Sequence, residues 1–314
     1  MNTYFMGIEI GGSKFQAVIG KKDGTLVDHY RAVVNKDKGA EGIRQEIIKA
    51  WNHFKAYKPA AIGIGFGGPV DIEAGIIRDS HHIKGWTSFP LQSWLKKHTG
   101  VPVAIDNDAN VAGLAEALLG KGKKFRKIFY VCLGSGMGGG MITDGEIFHG
   151  MPPGEAEIGL IPFDREGRIM EKQCCGWAAD EKIRQYTATH PDSPLARLTR
   201  DIHQGEAKFL MEAIRQGDSG ARQILEELAD NIAFALSYAV HLFHPQIIVI
   251  GGGLSLTGRP LFDLINKFLP HYVHPSYQPP PKVMKAGLGE KVVCYGALLL
   301  AIRAWKQRKN KLKK

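Results

Sequence analysis

The sequence predicts an α/β protein built from two related domains. Three observations carry this. The first is an internal echo. An apolar segment, Tyr4 to Ile10, meets Gly11-Gly12-Ser13-Lys14, runs out again as Phe15 to Ile19 and turns at Asp23-Gly24. A second, Ile128 to Leu133, meets Gly134-Ser135-Gly136-Met137-Gly138-Gly139-Gly140, runs out as Met141 to Thr143 and turns at Asp144-Gly145. Each copy reads as strand, glycine turn, strand, Asp-Gly turn. The second observation is that further short apolar runs alternate with helical patterns, which implies α/β sheets. The third is that glycines and acids stand at the strand ends, where ligands bind in such sheets.

The elements follow in order. Ala60 to Phe66 stops at Gly67-Gly68-Pro69. Val101 to Ile105 leads into Asp106-Asn107-Asp108, and Ile247 to Ile250 ends at Gly251-Gly252-Gly253. Helical periodicity marks Ile43 to Phe54 and Asn110 to Leu119. It also marks Ala221 to Phe243, where Ile224, Leu228, Ile232, Leu236 and Val240 share a face and Pro245 ends the run. The stretch dense in Pro, Tyr and His from Pro270 to Pro281 reads as a loop. The first domain is expected over residues 1–115, the second over 116–290. A last helix, Tyr295 to about Lys309 within 291–314, returns to the first domain.

Composition excludes several classes. No apolar run in the 314 residues reaches the roughly 18–20 a membrane helix needs. The first residues lack a basic stretch followed by a long apolar one, so no secretion signal is expected. Four cysteines are too few for a disulfide scaffold, and reduced thiols in a cytoplasm are the expectation. The net charge is +10, but Arg303 to Lys314 holds seven basic groups and no acid. The body is therefore only weakly basic. No aromatics interleave with a basic stripe, which argues against nucleic acid as a partner.

Five segments are candidates for chemistry. Adjacent glycines at Gly11-Gly12 let a backbone approach a phosphate. Ser13 and Lys14 add a hydroxyl and a positive charge, and Glu9 is placed to hold Mg²⁺ through water. No Walker P-loop occurs. The run Gly134 to Gly140 has five glycines in seven residues, which points to phosphate contact at Gly134, Ser135 and Gly136. Gly251 and Gly252 leave room for an adenosine against backbone. Asp106-Asn107-Asp108-Ala109-Asn110 puts a carboxylate and amides at a strand end. Asp108 suits proton abstraction from a hydroxyl, while Asp108 or Asn110 is expected to cap the helix that follows. The carboxylates of Gly154-Glu155-Ala156-Glu157-Ile158-Gly159-Leu160 are either sugar ligands or exposed loop charges.

These motifs, in this order and spacing from residue 7 to about 300, resemble the ROK family (repressor, open reading frame, kinase). The resemblance implies the actin, hexokinase and Hsp70 fold: two ribonuclease H-like domains with a cleft between them that takes the sugar. It implies an ATP- and Mg²⁺-dependent kinase acting on a hexose or N-acetylhexosamine, most simply at O6, and commonly dimeric. Asp108 is similar to the family's catalytic base. Asn107, Gly68 and Glu157 match sugar-binding positions. Gly11, Gly12, Ser13 and Lys14 match the first phosphate loop, Gly134, Ser135 and Gly136 the second, and Gly251 and Gly252 the adenosine loop.

Departures narrow what the resemblance implies. Glu9 stands where the family has Asp, which keeps the charge and adds a methylene. Leu160 stands where a His contacts sugar and zinc. The zinc motif is reduced to Cys174-Cys175-Gly176-Trp177, two adjacent thiols where a structural zinc wants four tetrahedral ligands, so no zinc is expected. In Ser80-His81-His82, His82 either reaches the sugar or is an exposed loop histidine. Two rival readings remain beside the kinase: a degenerate member that senses a sugar without phosphorylating it, and a polyphosphate-dependent hexose kinase. A repressor is set aside, because eight residues precede Glu9.

Overall fold

The computed structural model describes residues 3–12, 14–80 and 83–311. In chain order the strands are β1 (Tyr4–Ile10), β2 (Lys14–Lys21), β3 (Leu26–Val33), β4 (Ile62–Phe66), β5 (Val70–Asp71), β6 (Ile76–Ile77), β7 (Val103–Asn107), β8 (Lys127–Leu133), β9 (Met137–Thr143), β10 (Glu146–Ile147), β11 (Ile247–Gly251) and β12 (Lys282–Lys285). The helices are α1 (Gly39–Phe54), α2 (Leu91–Thr99), α3 (Asp108–Leu118), α4 (Glu171–Cys174), α5 (Gly176–Thr189), α6 (Pro194–Thr199), α7 (Leu210–Arg215), α8 (Ser219–Phe243), α9 (Arg259–Tyr272) and α10 (Val292–Lys311).

Contacts divide the chain into two units. One comprises Met1–Leu119, Gly145–Glu155 and Leu288–Lys314; the other comprises Gly120–Asp144 and Ala156–Gly287. In the first, the sheet order is β3-β2-β1-β4-β7. β1 pairs antiparallel with β2, from Tyr4 opposite Lys21 to Ile10 opposite Phe15, and parallel with β4. β4 is buried at all five positions, as a central parallel strand covered on both faces should be. One face packs Ile8, Ile10, Ile62 and Ile64 against Ile43, Ile47 and Phe54 of α1. The other five-stranded sheet has the order β10-β9-β8-β11-β12, and in the second unit α8 lies over it through Leu228, Ile232 and Leu236.

Four sequence expectations need correction. Gly138, Gly139 and Gly140 are not loop: they stand inside β9, opposite Cys132, Val131 and Tyr130. Gly139 is there because a Cβ would strike the Ala156 carbonyl oxygen and stand 3.1 Å from Ile158, so the segment 156–158 crosses the strand closely. The helix α9 continues through Pro270, inside the expected loop. Its exposed last carbonyls are met by Gln278, whose Nε2 donates to Pro270 O at 2.8 Å and Val273 O at 2.9 Å. The cap of α3 is neither Asp108 nor Asn110 but Asn107, whose Oδ1 accepts from Ala109 N at 2.8 Å and Asn110 N at 3.4 Å. Finally, Gly145–Glu155 clusters with the first unit, held there by Arg303 Nη2 donating to Gly145 O at 2.5 Å and by Glu155 against Asn110.

Asp218 is the most heavily used cap. Its carboxylate accepts from Ala221 N (3.0 Å) at the start of α8, Leu195 N (2.8 Å) in α6 and Tyr186 Oη (2.9 Å) in α5. Burial opposes its charge, but these donors outweigh burial and hold the carboxyl below its usual range. Asp218→Ala is expected to cost about 2 kcal/mol or more at neutral pH, through the lost cap and three orphaned donors. A depressed folded pKa means the stabilisation is present above the ordinary value of 3.8 and fades as pH falls below it. Denaturant unfolding of both proteins at pH 7 and pH 3 checks this; equal stability at pH 7 defeats it.

Candidate active site

The first unit brings the carboxylate of Asp108 to the first glycine turn. Gly11 closes the β1–β2 turn, its N–H donating to Lys14 O at 3.1 Å, and Gly67 N donates to Ile10 O at 2.9 Å. A Cβ at Gly67 would stand 3.2 Å from Asp108 Oδ2, 3.4 Å from Ile10 O and 3.8 Å from Gly11 Cα. With glycine here, the end of β4 leaves a methyl-sized space between the turn and the carboxylate. Asp108 is half-buried at the first position of α3, where a helix N-terminus favours negative charge.

Asn107 holds the same corner together. Its Nδ2 donates to Gly68 O at 3.2 Å while its Oδ1 caps α3. Both ends of this amide thus position the Gly67-Gly68 turn against Asp108, which adds a structural duty to the sugar contact expected of it.

Glu9 and Lys14 form a pair beside the turn. Lys14 Nζ lies 3.1 Å from Glu9 Oε1 and 3.7 Å from Glu290 Oε1. Gln16 Nε2 donates to Glu9 Oε2 at 2.9 Å. Burial pushes the Glu9 carboxyl above its usual range, and Lys14 and Gln16 only partly offset this. Ser13 and His82 lie outside the described residues.

In the second unit, Gly134-Ser135-Gly136 is a tight turn between β8 and β9, with Gly134 N donating to Gly136 O at 3.0 Å and Ser135 exposed at its tip. It is braced from behind: Gly176 N donates to Gly134 O at 2.7 Å, and Met137 N donates to Glu171 Oε2 at 3.0 Å. A cavity of about 790 Å³ opens beside it, lined by Gly134, Ser135, Trp177, Gly253, Leu254 and Leu256. Gly252, at φ 85°, follows β11 so closely that a Cβ would overlap the Leu133 backbone. Trp177 and Leu256 are 42% and 74% exposed. Exposed apolar side chains on a cavity wall suit a flat ring.

Glu157 is exposed in the second unit, just ahead of the turn Ile158–Leu160, and Leu160 is 56% exposed. Cys174 and Cys175 are buried, and burial pushes both thiols up, away from the thiolate a metal needs. Neither belongs to a group of three metal-capable side chains among the described residues. One such group exists elsewhere: Asp106, His149 and Glu155, in the first unit. His149 Nε2 lies 2.8 Å from Asp106 Oδ2. Burial of the ring opposes its charge, but the Asp106 and Glu155 carboxylates outweigh burial and leave its pKa raised. No sequence signal pointed to His149, 43 residues from its partner.

Two α/β units, each with two antiparallel strands joined by a glycine turn, and an aspartate beside one of those turns, define the actin- and hexokinase-type kinase fold. The chain belongs to the ROK family, whose model matches residues 5–304. The glucokinase of Halalkalibacterium halodurans is 30% identical over 330 residues, covering 100% of this chain and 98% of that protein. The glucokinase of Thermotoga maritima is 29% identical over 301 residues, covering 93% and 95%. Among solved structures, a ROK family glucokinase from Streptomyces griseus in complex with glucose and AMPPNP superposes with a TM-score of 0.84 at 28% identity, covering 96% of this chain and 99% of that one.

Proposed function

We propose that the chain transfers the γ-phosphoryl group of ATP to a hydroxyl of a hexose or N-acetylhexosamine, with Asp108 as the base. The observation that carries this is the open corner at Gly67, where one carboxylate oxygen stands beside the first glycine turn. In phosphoryl transfer the protein mainly positions groups and stabilises charge, and a single aspartate accepts the proton of the attacking hydroxyl. The family and the glucokinase relatives support the same reading. The first unit then supplies the base and, through Gly68, Asn107 and His82, sugar contacts; Glu157 supplies another from the second unit. Gly134, Ser135 and Gly136 take the nucleotide phosphates, Gly251 and Gly252 admit its ribose, and Gly11, Gly12, Ser13 and Lys14 serve as the first phosphate loop.

ATP fits the second unit because its cavity has an apolar wall beside a glycine turn. Mg²⁺ bound to the triphosphate neutralises charge on the phosphate oxygens. Glu9 offers a carboxylate at the first turn, but Lys14 and Gln16 already occupy it, so its part in holding the ion is through water. The four cysteines, none of them in a disulfide, accord with a cytoplasmic location, and no helix among the described residues is long and apolar enough to cross a membrane. A homodimer completes the proposal, checked by light scattering. The deciding experiment is sugar-phosphate formation over a panel of hexoses and N-acetylhexosamines with ATP and with polyphosphate. If no sugar is phosphorylated from either donor, the reading fails.

Trp177 gives a sharper test of the nucleotide half. If the base lodges between Trp177 and Leu256, Trp177→Ala raises the KM for ATP about tenfold or more, since stacking of a base on an aromatic ring is worth about 1–3 kcal/mol. The KM for sugar stays near the parent value. Steady-state kinetics varying each substrate separately reads both numbers, and an unchanged KM for ATP removes Trp177 from the site.

A further inference from the structure

Three metal-capable side chains meet in the first unit, apart from the glycine turns. Asp106 lies near the end of β7, while His149 and Glu155 stand at the two ends of the loop 149–155. One donor atom from each lies within 4.8 Å of the others. The Asp106 side chain is only 5% exposed. Asp106 is buried and Glu155 half-buried, and two carboxylates drawn this close repel each other, a cost that a cation between them reduces.

Asn110 supplies a second, independent observation. It is 2% exposed, and its Nδ2 donates to both Asp106 Oδ1, at 3.0 Å, and Glu155 Oε1. That leaves its Oδ1 buried without a hydrogen-bond partner. A buried unpaired acceptor costs about 1–3 kcal/mol. The two ends of an amide have nearly the same shape, so a half-turn of the side chain brings Oδ1 to the carboxylates. With no cation present, that arrangement sets three oxygens against one another; with one present, it completes a donor set. Arg303, whose charge reaches Asp106 and His149, is committed elsewhere, to Glu146 at 2.8 Å and the Gly145 carbonyl at 2.5 Å.

We propose that Asp106, His149 and Glu155 bind a divalent transition-metal ion, Zn²⁺ or Mn²⁺, with Asn110 Oδ1 as a fourth donor. One imidazole with carboxylate and amide oxygens is a donor set for these ions. Mg²⁺ prefers all-oxygen octahedra and keeps its waters, so the site is chemically distinct from that of the nucleotide's metal. The residues also differ from the Cys174-Cys175 pair. The ion ties the loop 149–155 to the first turn of α3, and so holds the loop against the helix that starts at Asp108.

The test uses the full chain, free of sugar and nucleotide and stripped with EDTA. ZnCl₂, MnCl₂ and MgCl₂ are titrated in separately by calorimetry, with metal content read by mass spectrometry after desalting. The expected result is one ion of Zn²⁺ or Mn²⁺ per chain, and weaker binding of Mg²⁺. His149→Ala and Glu155→Gln each weaken it about tenfold or more, and a Cys174→Ser, Cys175→Ser double variant does not. Both single changes lie at partly exposed positions, and circular dichroism verifies their folding. Loss of binding in the cysteine variant alone, unchanged affinity in both single variants, or no binding tighter than about 1 mM overturns the proposal.

Discussion

Asp108→Asn lowers kcat by about 10²–10⁴-fold, the usual worth of a general base, and leaves thermal stability and the KM for sugar nearly unchanged. The size follows from the role. An asparagine matches the shape and still hydrogen-bonds a hydroxyl, but it cannot accept the proton as the oxygen attacks. The loss is therefore confined to the transition state, which places it in kcat and not in KM. The stability expectation separates catalysis from architecture. A carboxylate at the start of a helix is often its cap, and losing a cap costs about 1 kcal/mol. Here the cap is Asn107, whose Oδ1 takes the Ala109 and Asn110 amides. Asn107→Ala is thus the converse variant: it lowers Tm and frees the Gly68 carbonyl that Nδ2 holds. Steady-state kinetics and melting curves on both proteins decide the matter. A kcat for Asp108→Asn within about threefold of the parent removes the base from the proposed mechanism.

The stretch around Asn107 shows where sequence reasoning is strong and where it stops. The β1–β2 and β8–β9 hairpins were legible because each consists of an apolar run, glycines and a second run within about twenty residues, and local pattern specifies local pairing. The amphipathic helices α1 and α8 were legible for the same reason. Which polar residue caps α3 was not: Asp108 and Asn110 were the candidates, but Asn107 just ahead of them has the same capping chemistry, and the choice depends on where the strand β7 ends. The glycines of β9 misled for a different reason. Loop glycines and strand glycines look alike in sequence, and Gly139 is required by a segment, 156–158, that crosses it from elsewhere in the chain.

Long-range returns were the hardest to read. Gly145–Glu155 follows β9 directly, yet it packs with the first unit. That return alone brings His149 to Asp106 and Glu155 to Asn110. No periodicity marks it: Ile147 is its one buried apolar side chain, and what ties His149 and Glu155 to Asp106 and Asn110 is single polar pairs. The run Pro152-Pro153-Gly154 hid it further by reading as an ordinary loop. The two units themselves could be anticipated from the repeated hairpin, and the expected division places 1–115 and 291–314 together; what it lacks is the return of Gly145–Glu155 to the first unit.

Gly63→Ala is expected to lower stability by about 3 kcal/mol, at the upper end of what overpacking a core costs, and with it Tm by several degrees. The helix α10 lies against β1, β4 and α3 with three glycines at the contacts. A Cβ at Gly7 would stand 2.7 Å from Cys294 O and 2.9 Å from Leu298 N. At Gly63 it would overlap Ala297 O and stand 2.8 Å from Ala301 N, and at Gly296 it would overlap Val111 O. The atoms in the way are backbone, which cannot rotate aside as a side chain can, so the helix must move. Its apolar face, Leu298, Ala301 and Ile302 against Phe5 and Ala61, moves with it. The displacement reaches the active site because β4 leads directly into Gly67 and α3 begins at Asp108, and α10 touches both elements. Activity therefore falls along with stability, unlike in Asp108→Asn, where only activity falls. Gly253→Ala is the control for the loss of a glycine as such, since nothing stands within 4 Å of its added Cβ. Melting curves of the two variants side by side test the argument: a Gly63→Ala protein as stable as Gly253→Ala would mean that α10 is not seated on β4 as described.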